Sequence, residues 1–205
     1  MNMEIKIENV KAAFNTADES GKKLLLALFP ELSSETAQKA DNRPVTERIK
    51  TFEDACRELG EKHSLVQAYR QLLETATCED YMRETFGADM VFYMKLRIIC
   101  AALNEGWEPQ FTEDEWRYYP WFWLYTQDEI DNMDEDEKKE RCLMSTGDYQ
   151  TGYAGLAYAH STNAPSYSHA TLGSRLCLKS DTLAVYAGKQ FMSLWADFYL
   201  IRKSK

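Results

Sequence analysis

An α+β fold is expected for this chain of 205 residues, on three observations. Helical periodicity runs with few interruptions as far as Asn104. From Tyr118 onward the pattern changes to short aromatic and small-residue segments of strand character. A last apolar stripe at helical spacing then closes the chain. The expected architecture is N-terminal helices, a small antiparallel sheet of about three strands and a closing C-terminal helix. With 44% hydrophobic and 13% aromatic residues, the chain has enough apolar surface to bury a core.

Along the N-terminal part, Ile7, Val10, Phe14 and Ala17 recur at steps of three and four. Leu24, Leu25, Leu28 and Phe29 resume the theme beyond Gly21. The Asp18-Glu19-Ser20 cluster and Gly21 predict a break, giving two short helices that end at Pro30. Residues 31–45 carry Ser, Thr, Gln, Lys, Asp, Asn and Pro with little periodicity, the pattern of a linker. The expected organisation is a helical segment over 1–30, a linker over 31–45 and an α+β domain over 46–205.

Within that domain Thr51, Asp54 three residues on and Gly60 frame a capped helix over Phe52–Leu59. Leu65, Val66, Tyr69, Leu72 and Leu73 form the next stripe. The run from Ala88 to Asn104 is apolar around most of its circumference, interrupted by Lys95 and Arg97, and should be the buried centre of the helices. Gly106 and Pro109 end it.

In Tyr118–Tyr125, Pro120 places the start of the first strand at Trp121. Alternation then sends Trp121 and Trp123 to one face and Phe122 and Leu124 to the other, with the helices covering one face and the other left as an interaction surface. Residues 127–140 hold eight acidic residues against two lysines and read as a solvated loop or short surface helix. Tyr153–His160 and His169–Leu178 read as two strands joined by a turn-rich segment. Ser180 caps a final helix with Leu183, Ala187, Phe191, Leu194, Trp195 and Phe198 on one face.

The charge balance of 24 basic against 33 acidic residues gives a net charge of −9, which opposes direct binding to phosphate backbones or anionic membranes. It suits a basic protein partner or, in a second reading, mimicry of nucleic acid. Five cysteines at 56, 78, 100, 142 and 177 form no close pair, so reduced thiols are expected. Met1–Asn9 lacks the apolar core of a signal peptide, and no run is long enough to span a membrane.

Four segments carry a family resemblance: Thr46-Glu-Arg-Ile-Lys-Thr-Phe-Glu-Asp-Ala-Cys56, Ala101-Ala-Leu-Asn-Glu-Gly-Trp107, Tyr118–Phe122 and Gly173-Ser-Arg-Leu-Cys-Leu-Lys-Ser180. Tyr186-Ala-Gly-Lys-Gln-Phe191 adds a fifth, with Val185 where the family usually has Glu. Over about residues 46–200 the chain resembles uncharacterised proteins encoded by phages and prophages of gut bacteria. The resemblance implies a genomic setting, in the host cytoplasm or on the virion, and no established activity. The acidic stretch 127–140 departs from the family pattern.

Several residues are candidates for a site. Tyr118, Tyr119, Trp121 and Trp123 could anchor a partner, with Trp and Tyr the residues that interfaces favour. Arg175 is placed by alternation in a strand on a small-residue face, where it needs a carboxylate, backbone carbonyls or a partner. His160 and His169, facing each other across the expected hairpin, could share a metal with Cys177. Cys142 or Cys177 beside either histidine could make a thiol nucleophile. Asp128, Asp131, Asp134 and Asp136 lack the glycine of a calcium loop. With no catalytic signature and no cofactor motif, the expected function is non-catalytic protein binding or assembly. The alternatives are an acidic inhibitor of a host nucleic-acid-binding or defence protein, and a small metal- or thiol-dependent enzyme.

Overall fold

The structure is a computed structural model and describes residues 10, 13–14, 16–29, 43–110, 112, 114–165 and 174–203. The chain divides into two units, Met1–Arg43 and Pro44–Lys205. In the first, α1 (Glu19–Leu28) starts where the acidic cluster predicts a break, because Asp18 accepts the Gly21 amide at 2.8 Å. Most of the expected linker lies outside the described residues, and the second unit already begins at Pro44, with Val45 buried.

That second unit is α+β. Its helices are α2 (Val45–Arg48), α3 (Phe52–Leu59), α4 (Ser64–Ala76), α5 (Glu79–Phe86) and α6 (Ala88–Leu103). The strand β1 (Trp116–Tyr125) follows, then the short helices α7 (Gln127–Asp131) and α8 (Glu135–Glu140). After β2 (Met144–Ser145) and β3 (Gly155–Pro165) the chain closes with α9 (Asp181–Gln190) and α10 (Met192–Tyr199). The sheet has three antiparallel strands in the order β1-β3-β2.

Local chemistry sets the helix ends. Thr51 and Asp54 form a reciprocal capping box at the start of α3, with Thr51 Oγ1 accepting the Asp54 amide at 3.1 Å. As its composition demands, α6 is the buried axis and packs against α3, α5 and α10. Its charged interruption is satisfied: the Lys95 ammonium lies 2.5 Å from Glu79 and 5.1 Å from the centre of the Phe52 ring. Glu79 also binds Arg83 and accepts the Tyr69 hydroxyl at 2.9 Å. The closing stripe is split in two at Phe191, where the backbone leaves the helical region and the Trp195 indole donates to the Ala187 carbonyl at 3.2 Å. Helix α9 then lies across β1 and β3. A Cβ on Gly188 would come within 2.8 Å of both Pro120 and Tyr158, so this crossing depends on the missing side chain.

Three strand expectations are corrected. The first strand starts at Trp116 and runs through Pro120. Tyr118 exchanges both its backbone bonds with Leu178, so its polar groups, and two residues later those of Pro120, point away from β3. A proline on that outer edge removes no ladder bond to β3, which is why the strand tolerates it. Next, β3 pairs backward with β1 instead of forward with 169–178, in a register from Trp116↔Pro165 to Tyr125↔Gly155. Finally, of the expected strand His169–Leu178, residues 169–173 lie outside the described residues. The remainder is one turn of 3-10 helix, Ser174–Leu176, followed by the single bridge at Leu178.

Candidate interaction surface

Alternation along β1 builds the surface. Phe122 and Leu124 turn toward the helices, with Phe122 packed edge-on against Tyr158 and tilted against Trp195. Trp121 and Trp123 turn the other way and remain 44% and 51% exposed. Across the pair, exposed His160 stacks on Trp121 with ring centres 5.6 Å apart at 25°. These three rings form an aromatic platform on the face opposite the helices.

The platform is bounded at both ends. Toward Tyr125 it meets the acidic helices, whose Ile130 packs with Leu143 over Gly155. Both helices are self-capped: Thr126 and Glu129 form a capping box, and Asp134 accepts the Glu137 amide at 2.7 Å. Their carboxylates Asp128, Glu129, Asp131, Asp134, Glu135, Asp136 and Glu140 are exposed. Between α8 and α9 lies an open depression of about 480 Å3 lined by Asp134, Asp136, Glu137, Glu140, Arg141, Tyr158 and Lys189. Arg141 is engaged there, 3.0 Å from Glu137 and donating to the Tyr125 hydroxyl at 2.6 Å.

Toward Trp116 the same face closes over. Tyr119 is only 4% exposed and contributes nothing to an accessible surface. Tyr118 is half-buried against the core and committed to Leu178. The buried cation of the sheet is Arg117, 2% exposed, on the same side of the strand as Tyr119 and close to Cys177. Burial pushes the Cys177 thiol up to about 11, with Arg117 pulling it the other way, so it stays protonated at neutral pH. That is the reverse of an activated nucleophile.

Arg175 was expected on a central strand with its charge held. It lies instead in the 3-10 turn, exposed, with no ion pair or hydrogen bond among the described residues. The only hint of Arg117 in the sequence is its alternation with Tyr119. His169 lies outside the described residues, so the proposed triad with His160 and Cys177 cannot be built from them. Among the described residues no three His, Cys, Asp or Glu side chains are grouped to hold a metal ion.

The segments that carry the resemblance meet one another away from this platform. Asn104, buried at the end of α6, donates to the Cys177 carbonyl at 2.9 Å and accepts the Lys179 amide at 3.0 Å, as a paired strand would. Glu105 takes a left-handed conformation (φ 50°) that aims its carboxylate at both Arg48 (2.9 Å) and Lys179 (2.8 Å). Gly106 continues at φ 82°, which favours glycine. The Tyr186 hydroxyl donates to the Ile49 carbonyl at 2.5 Å, and Gln190 donates to the Lys50 carbonyl at 2.8 Å. With Gly188 seated on Pro120, all five segments join in one set of fold-forming contacts. Comparison of the chain with protein-family models, with curated proteins and with solved structures finds no match, so the geometry stands alone.

Proposed function

We propose that this chain is a phage- or prophage-derived accessory protein that acts by binding a protein partner, without catalysis of its own. The contact surface is the platform of Trp121, Trp123 and His160. The carrying observation is that two tryptophans stand about half exposed, at 44% and 51%, on a strand whose opposite face packs Pro120, Phe122 and Leu124 against the helices. Each has roughly 100 Å2 left to cover, and covering both would contribute on the order of 4–5 kcal/mol by area. The acidic helices beside them favour a basic partner and set its orientation. The second reading, an acidic inhibitor of a host nucleic-acid-binding or defence protein, draws on the same carboxylates, which α7 and α8 gather on one stretch of surface.

A photo-crosslinking residue at position 123 tests the surface, with a second at exposed Glu74 on α4 as control. The expected result is a specific adduct from position 123 in infected or lysogenic cells, lost when Trp121 is changed to alanine. Adducts of equal yield from both positions would contradict it. Adding duplex DNA separates the readings, because only the inhibitor reading expects it to compete. A gene neighbourhood without phage genes would contradict the proposed origin.

A further inference from the structure

We infer that the outer edge of β1, from Pro120 to Leu124, receives an extended basic segment of the partner as an additional strand; this rests on the protein-binding reading above. Tyr118 turns both backbone groups outward, donating to the Leu178 carbonyl at 3.1 Å and accepting its amide at 2.9 Å. Tyr125 turns inward and accepts the Ala154 amide at 2.8 Å. The register irregularity opposite Trp121 and Phe122 places its extra residue, Ala159, on β3, so alternation along β1 is uninterrupted. The groups of Pro120, Phe122 and Leu124 therefore all point outward with those of Tyr118.

Leu178 closes the first of these positions, and Pro120 brings no N–H to the second. The N–H and carbonyl groups of Phe122 and Leu124 have no partner beyond the sheet among the described residues. A row of such groups is a template for another strand. It is flanked on both faces by partly exposed aromatic rings. Trp121 and Trp123 stand on the outer face, and Tyr199, 37% exposed, lies 5.9 Å from the Phe122 ring on the helix face. Alternate side chains of an added strand would fall on each.

Charge selects the occupant. The edge runs directly into α7, where Asp128, Glu129 and Asp131 are exposed. A second copy would set a net charge of −9 against an equal one, whereas Lys and Arg on an incoming strand would meet these carboxylates.

The test uses the full chain and a pool of synthetic peptides of about ten residues, with Lys or Arg at alternate positions and varied residues between them. The tightest binder is remade with N-methyl groups on either its odd or its even residues. The expected result is that one set weakens binding at least about tenfold while the other is tolerated. Exchange of the Phe122 and Leu124 amides should slow in the complex. Equal tolerance of both sets, with binding still lost in Trp121→Ala/Trp123→Ala, would overturn the added strand and leave the aromatic platform standing. Binding unaffected by those tryptophans would remove both readings. Failure to recover any binder from the basic pool would overturn the assigned occupant.

Discussion

Trp195 and Trp123 are the same residue in opposite circumstances: the first is fully buried under the sheet, the second is 51% exposed above it. The two faces of β1 differ as these residues do. On the helix side, Phe122 packs against both hydrophobic clusters and Leu124 against the smaller, Pro120 seats Gly188, and the surrounding segments are tied by Asn104, Glu105, Tyr186 and Gln190. On the outer side, Arg117 and Tyr119 are closed over while Trp121 and Trp123 stand free of the core. The lesson is that recognisable sequence segments and available surface are separate properties here. The segments that carry the resemblance hold the fold together, while the carboxylates of α7 and α8 and one of the two tryptophans of the platform lie outside them.

Breaking the helix side should cost most. Asn104→Ala leaves a buried carbonyl and amide of the 177–179 segment without partners, which should cost about 2–4 kcal/mol. Urea unfolding should show the loss. A change below 0.5 kcal/mol would mean that this junction does not hold the helices to the sheet.

Acid should loosen the same side by a smaller amount. Burial alone would raise the Glu79 carboxyl, but its bonds to Lys95 and Tyr69 outweigh that and hold it below its ordinary value of 4.5. Lys179 holds Glu105 low by more than burial raises it, and Arg48 adds to the lowering. A carboxylate with a depressed folded value stabilises the fold fully above its unfolded value and loses that contribution as pH falls through the folded one. The unfolding midpoint should therefore be flat down to about pH 4.5 and fall below it, with a shallower fall in Glu79→Gln. A Glu79→Gln profile parallel to that of the parent chain would dissociate this cluster from acid stability.

The smallest effect sharpens the comparison. Arg175→Met should leave the unfolding free energy within about 0.5 kcal/mol of the parent chain, because an exposed cation without a partner among the described residues contributes little. A large drop would mean that the segment outside the described residues engages it.

The helical half was legible in the sequence because its signals are local. The Thr51–Asp54 box, the stripe from Leu65 to Leu73 and the apolar run of α6 each fix their element without reference to distant residues. The sheet was less legible because strand pairing is a choice among distant partners. Nothing around 155–165 says that it pairs back to 116–125, and Pro120 breaks a strand only where its nitrogen faces a neighbour. Alternation puts Trp121 and Trp123 on one face, as found, yet it does not say which face the helices cover or that Tyr119 beside them is buried. The expected place of Arg175 differs for the same reason: its segment is a 3-10 turn whose one bridge to β1 is at Leu178.

The central claim is that the platform is spare surface and the opposite face is the structure. Urea unfolding of Trp121→Ala/Trp123→Ala measures this most directly. The account predicts a loss of about 1–2 kcal/mol for the pair, far less than for buried tryptophans, since about half of each ring lies in solvent and the buried half rests on the strand pair. A loss of about 3 kcal/mol or more, as for a buried tryptophan, would show that the platform belongs to the core and would contradict the account.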